Sequence, residues 1–115
     1  MAQLKLCILL MILVFSDIFA KDVPSVTAPV FDEVGILSSQ TQQSLNQQLR
    51  SIFEQTGIQL QVMILKSLEG DTLEGFSINS VDNLKLGKKG SDQGVLFLLS
   101  IEDKKMRIEV GKGLE

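Results

Sequence analysis

The sequence predicts an α/β domain with a mixed central sheet and helices packed on it. Three observations carry this. Apolar residues recur at helical spacing over residues 45–53, they alternate at strand spacing in two later segments, and four polar residues join the last two strands as a hairpin. A helix between strands followed by a hairpin mixes parallel and antiparallel neighbours in one sheet.

Each element has a local reason. Residues 21–29 carry both prolines and no periodic pattern, which predicts an extended, flexible leader. Val30 to Leu37 is an apolar lead-in with a glycine turn at Gly35. Ser39 and Gln42 have the spacing of a capping box, which starts a helix. Leu45, Leu49, Ile52 and Phe53 form its apolar stripe, and Gly57 is placed to end it in a left-handed cap. Ile58 to Leu65 reads as a central strand, with Ile58, Leu60, Val62 and Ile64 alternating against Gln59, Gln61 and Met63. A second helix from Thr72 places Leu73, Phe76, Ser80 and Leu84 on one side. Gly75 weakens it by about 1 kcal/mol relative to alanine. Val95 to Ile101 is the next strand, Glu102 to Lys105 a solvated turn, and Met106, Ile108 and Val110 mark the last strand. Arg107 and Glu109 share its other side, where exposed ion pairs contribute roughly 0–1 kcal/mol. Two helices do not cover both faces of a buried sheet, so the domain is expected to be incomplete at its C-terminal end.

The first twenty residues are set apart. Lys5, an uncharged run from Leu6 to Phe15 and small Ala20 have the pattern of an export signal. The run is shorter than the ~20 apolar residues that a membrane-spanning helix needs. The mature chain is therefore expected to begin at Lys21, to contain no membrane-spanning helix and to act in the periplasm or outside the cell. If the signal is not cleaved, it serves as an N-terminal anchor. Its removal takes away Cys7, the one cysteine, so the mature chain has neither a disulfide nor a thiol nucleophile.

Composition narrows the chemistry. The chain has no histidine, which removes histidine bases, Ser-His-Asp triads and histidine-ligated zinc. A net charge of −3 argues against nucleic acid as a partner. The acidic and polar side chains that remain suit a hard cation, Ca²⁺ or Mg²⁺.

Three places are candidates for function, each with a plainer alternative. Asp32 precedes a glycine turn and a helix, as a turn aspartate bonding to nearby backbone N–H groups does. The loop Gly87-Lys88-Lys89-Gly90-Ser91-Asp92-Gln93-Gly94 offers backbone N–H groups and two lysines to an anion. It lacks the Lys-Ser/Thr ending and following helix of a Walker loop, and the alternative is a connector that needs glycine for its turns. Asp92, just before a buried strand, stands at the sheet's edge. Glu115 closes Gly111-Lys-Gly-Leu-Glu115, whose glycines permit tight turns that bring backbone oxygens near a cation. The alternative is a plain strand exit.

Read in order, several blocks resemble the TPM domain, a family named for founding members that include a thylakoid lumen protein. They are Phe31-Asp-Glu-Val-Gly-Ile-Leu-Ser38, Gln55-Thr-Gly-Ile-Gln-Leu-Gln-Val62, the stretch from Leu86 through Gly94 to Leu98, and Met106-Arg-Ile-Glu-Val-Gly-Lys-Gly-Leu-Glu115. Leu84 stands where the family often has tryptophan. Family members continue past the Gly-Leu-Glu motif into further helices and another acidic motif. The resemblance implies a three-layer α/β/α domain outside the cytoplasm, with Asp32 in an acidic cation or phosphatase site. Among relatives of this kind some are acid phosphatases, some bind calcium and one plant member is linked to photosystem II repair. The expected function is an accessory module that binds a divalent cation or an envelope protein, with Asp32, Asp92 and Glu115 as metal ligands. One alternative is a metal-assisted acid phosphatase acting on a small phosphoester, with Asp32 as the catalytic residue. Another is a truncated product without function.

Overall fold

The structure, a computed structural model, describes residues 20–87 and 90–115. The export segment ahead of Ala20 and the loop lysines Lys88 and Lys89 lie outside the described residues. The chain forms strand β1 (Val30–Asp32), helix α1 (Ser39–Thr56), strand β2 (Gln59–Leu65), helix α2 (Leu73–Leu84), strands β3 (Gly94–Ser100) and β4 (Lys105–Val110), and a 3₁₀ turn (Lys112–Leu114). The sheet order is β1-β2-β3-β4. β1, β2 and β3 run parallel, and β4 returns antiparallel to β3 through the four-residue turn.

β1 is an addition to the expected strands. It is only three residues long, too short for alternation to show in the sequence, and its pairing with Val62–Ile64 defines it. α1 begins one residue earlier than the Ser39–Gln42 pattern suggests. Ser38 is the cap, in an extended conformation, and its Oγ accepts the Thr41 N–H at 3.1 Å. Gly57 closes the helix with φ 76°, and its N–H donates to the Phe53 carbonyl. α2 is capped by Thr72, whose side chain accepts the Gly75 N–H.

The core lies between the sheet and α2. Met63, Leu65, Leu96 and Leu98 from the strands meet Phe76 from the helix, with Leu68 and Leu86 from the loops. Toward its end β2 is buried on both faces, as expected of a central strand, with Ile64 on one side and Met63 and Leu65 on the other. Gln61 shares the buried side of β2 with Met63 and Leu65, and is itself buried. Its amide is satisfied by donating to the Ala28 carbonyl at 3.0 Å, which meets the rule that buried polar groups keep a partner. The leader is extended as expected but is packed down. Val23 and Val26 contact the core, and the Lys21 ammonium donates to the Ser67 carbonyl.

The opposite side of the sheet is covered over β1 and β2, where α1 packs. Val30 and Ile64 are buried there, and the Val30 N–H donates to Asn46 of α1. The helices thus lie on opposite faces of one mixed sheet, which makes three layers. α1 does not extend across β4, so Met106, Ile108 and Val110 stay exposed. No helix among the described residues is long and apolar enough to cross a membrane.

Candidate functional site

A cleft of about 540 Å³ opens between the end of α2, the glycine-rich loop, the end of β4 and the 3₁₀ turn. Glycine builds it. Gly111 donates its N–H to the Gly94 carbonyl at 2.7 Å, and Gly113 donates to the Asp92 carbonyl at 3.1 Å. A Cβ on Gly111 would run into the Asp92 carbonyl, and one on Gly113 into the Ser91 carbonyl. Only residues without side chains let the 111–113 segment lie this close to residues 91–94. On the loop's other flank the Gly87 N–H donates to Gln59 Oε1 at 2.8 Å.

The interlock brings Asp92 and Glu115 into one cleft, with Gly87 and Gly90 on its lining. Gly94 is buried beside Leu86 and serves the packing. Four further charged residues line the same cleft. Asp82 and Lys85 come from the end of α2, Glu109 from β4 and Lys112 from the 3₁₀ turn. The available clue was position, since Asp82 and Lys85 lie just before the glycine loop and Lys112 lies between two glycines that had to approach it. Lys85 and Asp92 both have left-handed backbones, φ 48° and 50°. At Lys85 this is the left-handed cap that ends α2. Glu109 is engaged, accepting from Arg107 Nε at 2.8 Å.

Asp32 lies elsewhere. It pairs with Ile64, whereas Gly94 pairs with Gln59 at the other end of β2. Five residues of strand put about 16 Å between these ends. Both Asp32 oxygens are in use. Oδ1 accepts the Gly35 N–H at 2.8 Å and Oδ2 accepts the Leu37 N–H at 2.9 Å. Partial burial raises its pKa, but the backbone N–H groups of Leu37, Gly35, Ile36 and Val34 outweigh that and hold the carboxyl below the usual aspartate range. This is the arrangement of a turn aspartate. The three carboxylates expected around one ion are therefore not gathered. Among the described residues no three His, Cys, Asp or Glu side chains cluster to hold a metal.

The hairpin between β3 and β4 is more than a solvated turn. Asp103 accepts from Ser100 Oγ at 2.7 Å and from the Leu68 N–H at 2.8 Å, fastening the turn to the loop before α2. These bonds, led by that of Ser100, hold its carboxyl below the ordinary value.

A family model described as the TPM domain matches residues 30–115. The chain belongs to the TPM domain family. Among solved structures, the TPM chain is similar to the N-terminal domain of a protein from P. gingivalis, determined in solution by NMR. The two are 30% identical with a TM-score of 0.69, and the match covers 77% of this chain and 57% of that one. The TPM chain thus spans little more than half the length of that domain. A comparison with the curated proteins finds no match.

Proposed function

We propose that this TPM domain is an exported binding module, without strong catalysis, whose site is the cleft at the glycine-rich loop. Its ligand is a calcium or magnesium ion, held by Asp92 and Glu115 with water or an envelope protein completing the coordination. The observation that carries this is the convergence of Asp92 and Glu115, remote in sequence, on one cleft built by glycine contacts. Oxygen is the only donor these residues offer, as hard cations prefer. Glu109 is taken by Arg107 and no three acidic side chains cluster among the described residues, so the site is open and weak, in the range of about 10⁻⁴ to 10⁻³ M that extracellular calcium modules show. The export pattern of residues 1–20 supports a compartment where such affinity is useful. Metal-assisted hydrolysis needs an ion clamped beside an attacking group. Asp32, the residue that would take part, is bound into its own turn away from the cleft, so hydrolysis ranks second.

Thermal melts in calcium, in magnesium and with chelator test the reading. At about ten times Kd the ion should stabilise the fold by roughly 1.4 kcal/mol, seen as a rise of several degrees in Tm. Asp92→Asn and Glu115→Gln should each remove most of the rise, and Asp32→Asn should keep it. No rise at about 10 mM of either ion sinks the metal site, given the affinity range above. Phosphomonoester turnover that disappears in Asp32→Ala would favour the phosphatase instead.

A further inference from the structure

Among the described residues, β4 is the last strand of the sheet and has β3 as its one strand neighbour. The register between them is unbroken from Lys105 to Val110, with no bulge, and the segment contains no proline. Bulges and prolines are among the devices that keep an edge strand from pairing again, and the charges that flank Ile108 in β4, on Arg107 and Glu109, are of opposite sign. The Gly111 N–H points at β3, where it donates to Gly94. Backbone direction alternates along a strand. Lys105, Arg107 and Glu109 therefore also face β3, and Met106, Ile108 and Val110 turn their N–H and C=O groups outward.

The side chains repeat this symmetry about Ile108. Met106 and Val110 flank it as an apolar pair, and Arg107 and Glu109 flank it with opposite charges. Met106 is 62% and Ile108 51% exposed, on the side of the sheet that α1 leaves open. Their partners in the register, Leu99 and Phe97, continue the same apolar surface inward.

We propose that two copies of this chain pair antiparallel through β4, about a two-fold axis at Ile108. Ile108 then lies opposite its own copy and Met106 opposite Val110. The outward backbone groups form roughly six hydrogen bonds across the junction. On the α2 side, Arg107 of each copy lies opposite Glu109 of the other, an alternating cluster of four charges. On the open side the apolar rows of the two sheets join. Edge pairing buries less than the ~800 Å² per partner of a standard interface, which places the dimer among weak, concentration-dependent associations. The second copy is favoured over an unrelated partner because both the charges and the apolar residues are self-complementary in this one register.

Sedimentation velocity on the chain from about 1 to 300 µM should show mass rising from monomer to dimer. Ile108→Pro removes an outward N–H that β3 does not use, so the fold should persist by circular dichroism and the dimer should be lost. Arg107→Glu places glutamates opposite each other and Glu109→Arg places arginines opposite each other. Each should weaken self-association roughly tenfold. Mixed together, the two variants are complementary at both positions and should form a heterodimer as tight as the original dimer. Association through any other apolar segment would not depend on which variants are mixed. A chain that stays monomeric throughout, a dimer that survives Ile108→Pro, or a mixture no tighter than its components overturns the proposal.

Discussion

Asp32 organises residues 33–37 without any regular secondary structure. Its two oxygens accept backbone N–H groups from the segment that leads out of β1. The carboxylate accepts better than the neutral acid, so the folded chain binds a proton at Asp32 less readily than the unfolded chain does. Stability from this group is full at neutral pH and is lost as pH falls below about 4 toward the depressed folded value. Asp32→Ala should cost about 1–2 kcal/mol near neutral pH, where two charge-assisted bonds are removed. It should cost less in acid, where the native aspartate is protonated. Urea midpoints at neutral and acid pH check this, and an equal loss at both would show that the carboxylate charge is not what holds the turn. Asp103 follows the same sign through Ser100 and Leu68.

The start of α1 shows how a local pattern and a neighbour compete. Ser39 and Gln42 have capping-box spacing, yet Ser38 is the residue in extended conformation that accepts from the first turn. The N–H of Leu37 is already taken by Asp32, so the non-helical chain ends there and the next residue becomes the cap. Ser38→Ala should therefore lower stability by about 1 kcal/mol. Ser39→Ala, at the first helical position, should change it by no more than a few tenths. Equal losses in the two melts would place the cap wrongly. The end of the helix was readable, because a left-handed cap at Gly57 depends on one residue type in one place.

At the scale of the whole molecule, the sheet joins segments that the sequence keeps apart. The cleft depends on residues 111–113 reaching residues 91–94, and Gly111 stands at the tightest part of that approach. Gly111→Ala should cost about 1–3 kcal/mol, as overpacking in a close-packed contact does. If Asp92 and Glu115 share an ion, it should also reduce the calcium-dependent rise in Tm. A variant as stable as the parent would mean that the two segments are not in contact. The open face over β3 and β4 belongs to the same scale. It arises because α1 packs on β1 and β2 and reaches no further. Its side chains and the free edge of β4 then face outward together.

What short-range physics controls is legible along the chain. Periodicity located two helices and three strands, Gly57 marked a terminus, four polar residues between alternating segments made a hairpin, and the absence of histidine removed whole classes of chemistry. Pairing decided the remainder. β1 is too short to show a period and exists because β2 offers it a ladder. Gln61 is inside because the Ala28 carbonyl is there to receive its amide. Asp32, Asp92 and Glu115 were equal candidates as letters in a chain. The parallel register puts Asp32 at one end of β2 and the glycine contacts put the other two at the opposite end. Distance between remote residues is a property of the ladder that joins them, and spacing along one strand does not contain it.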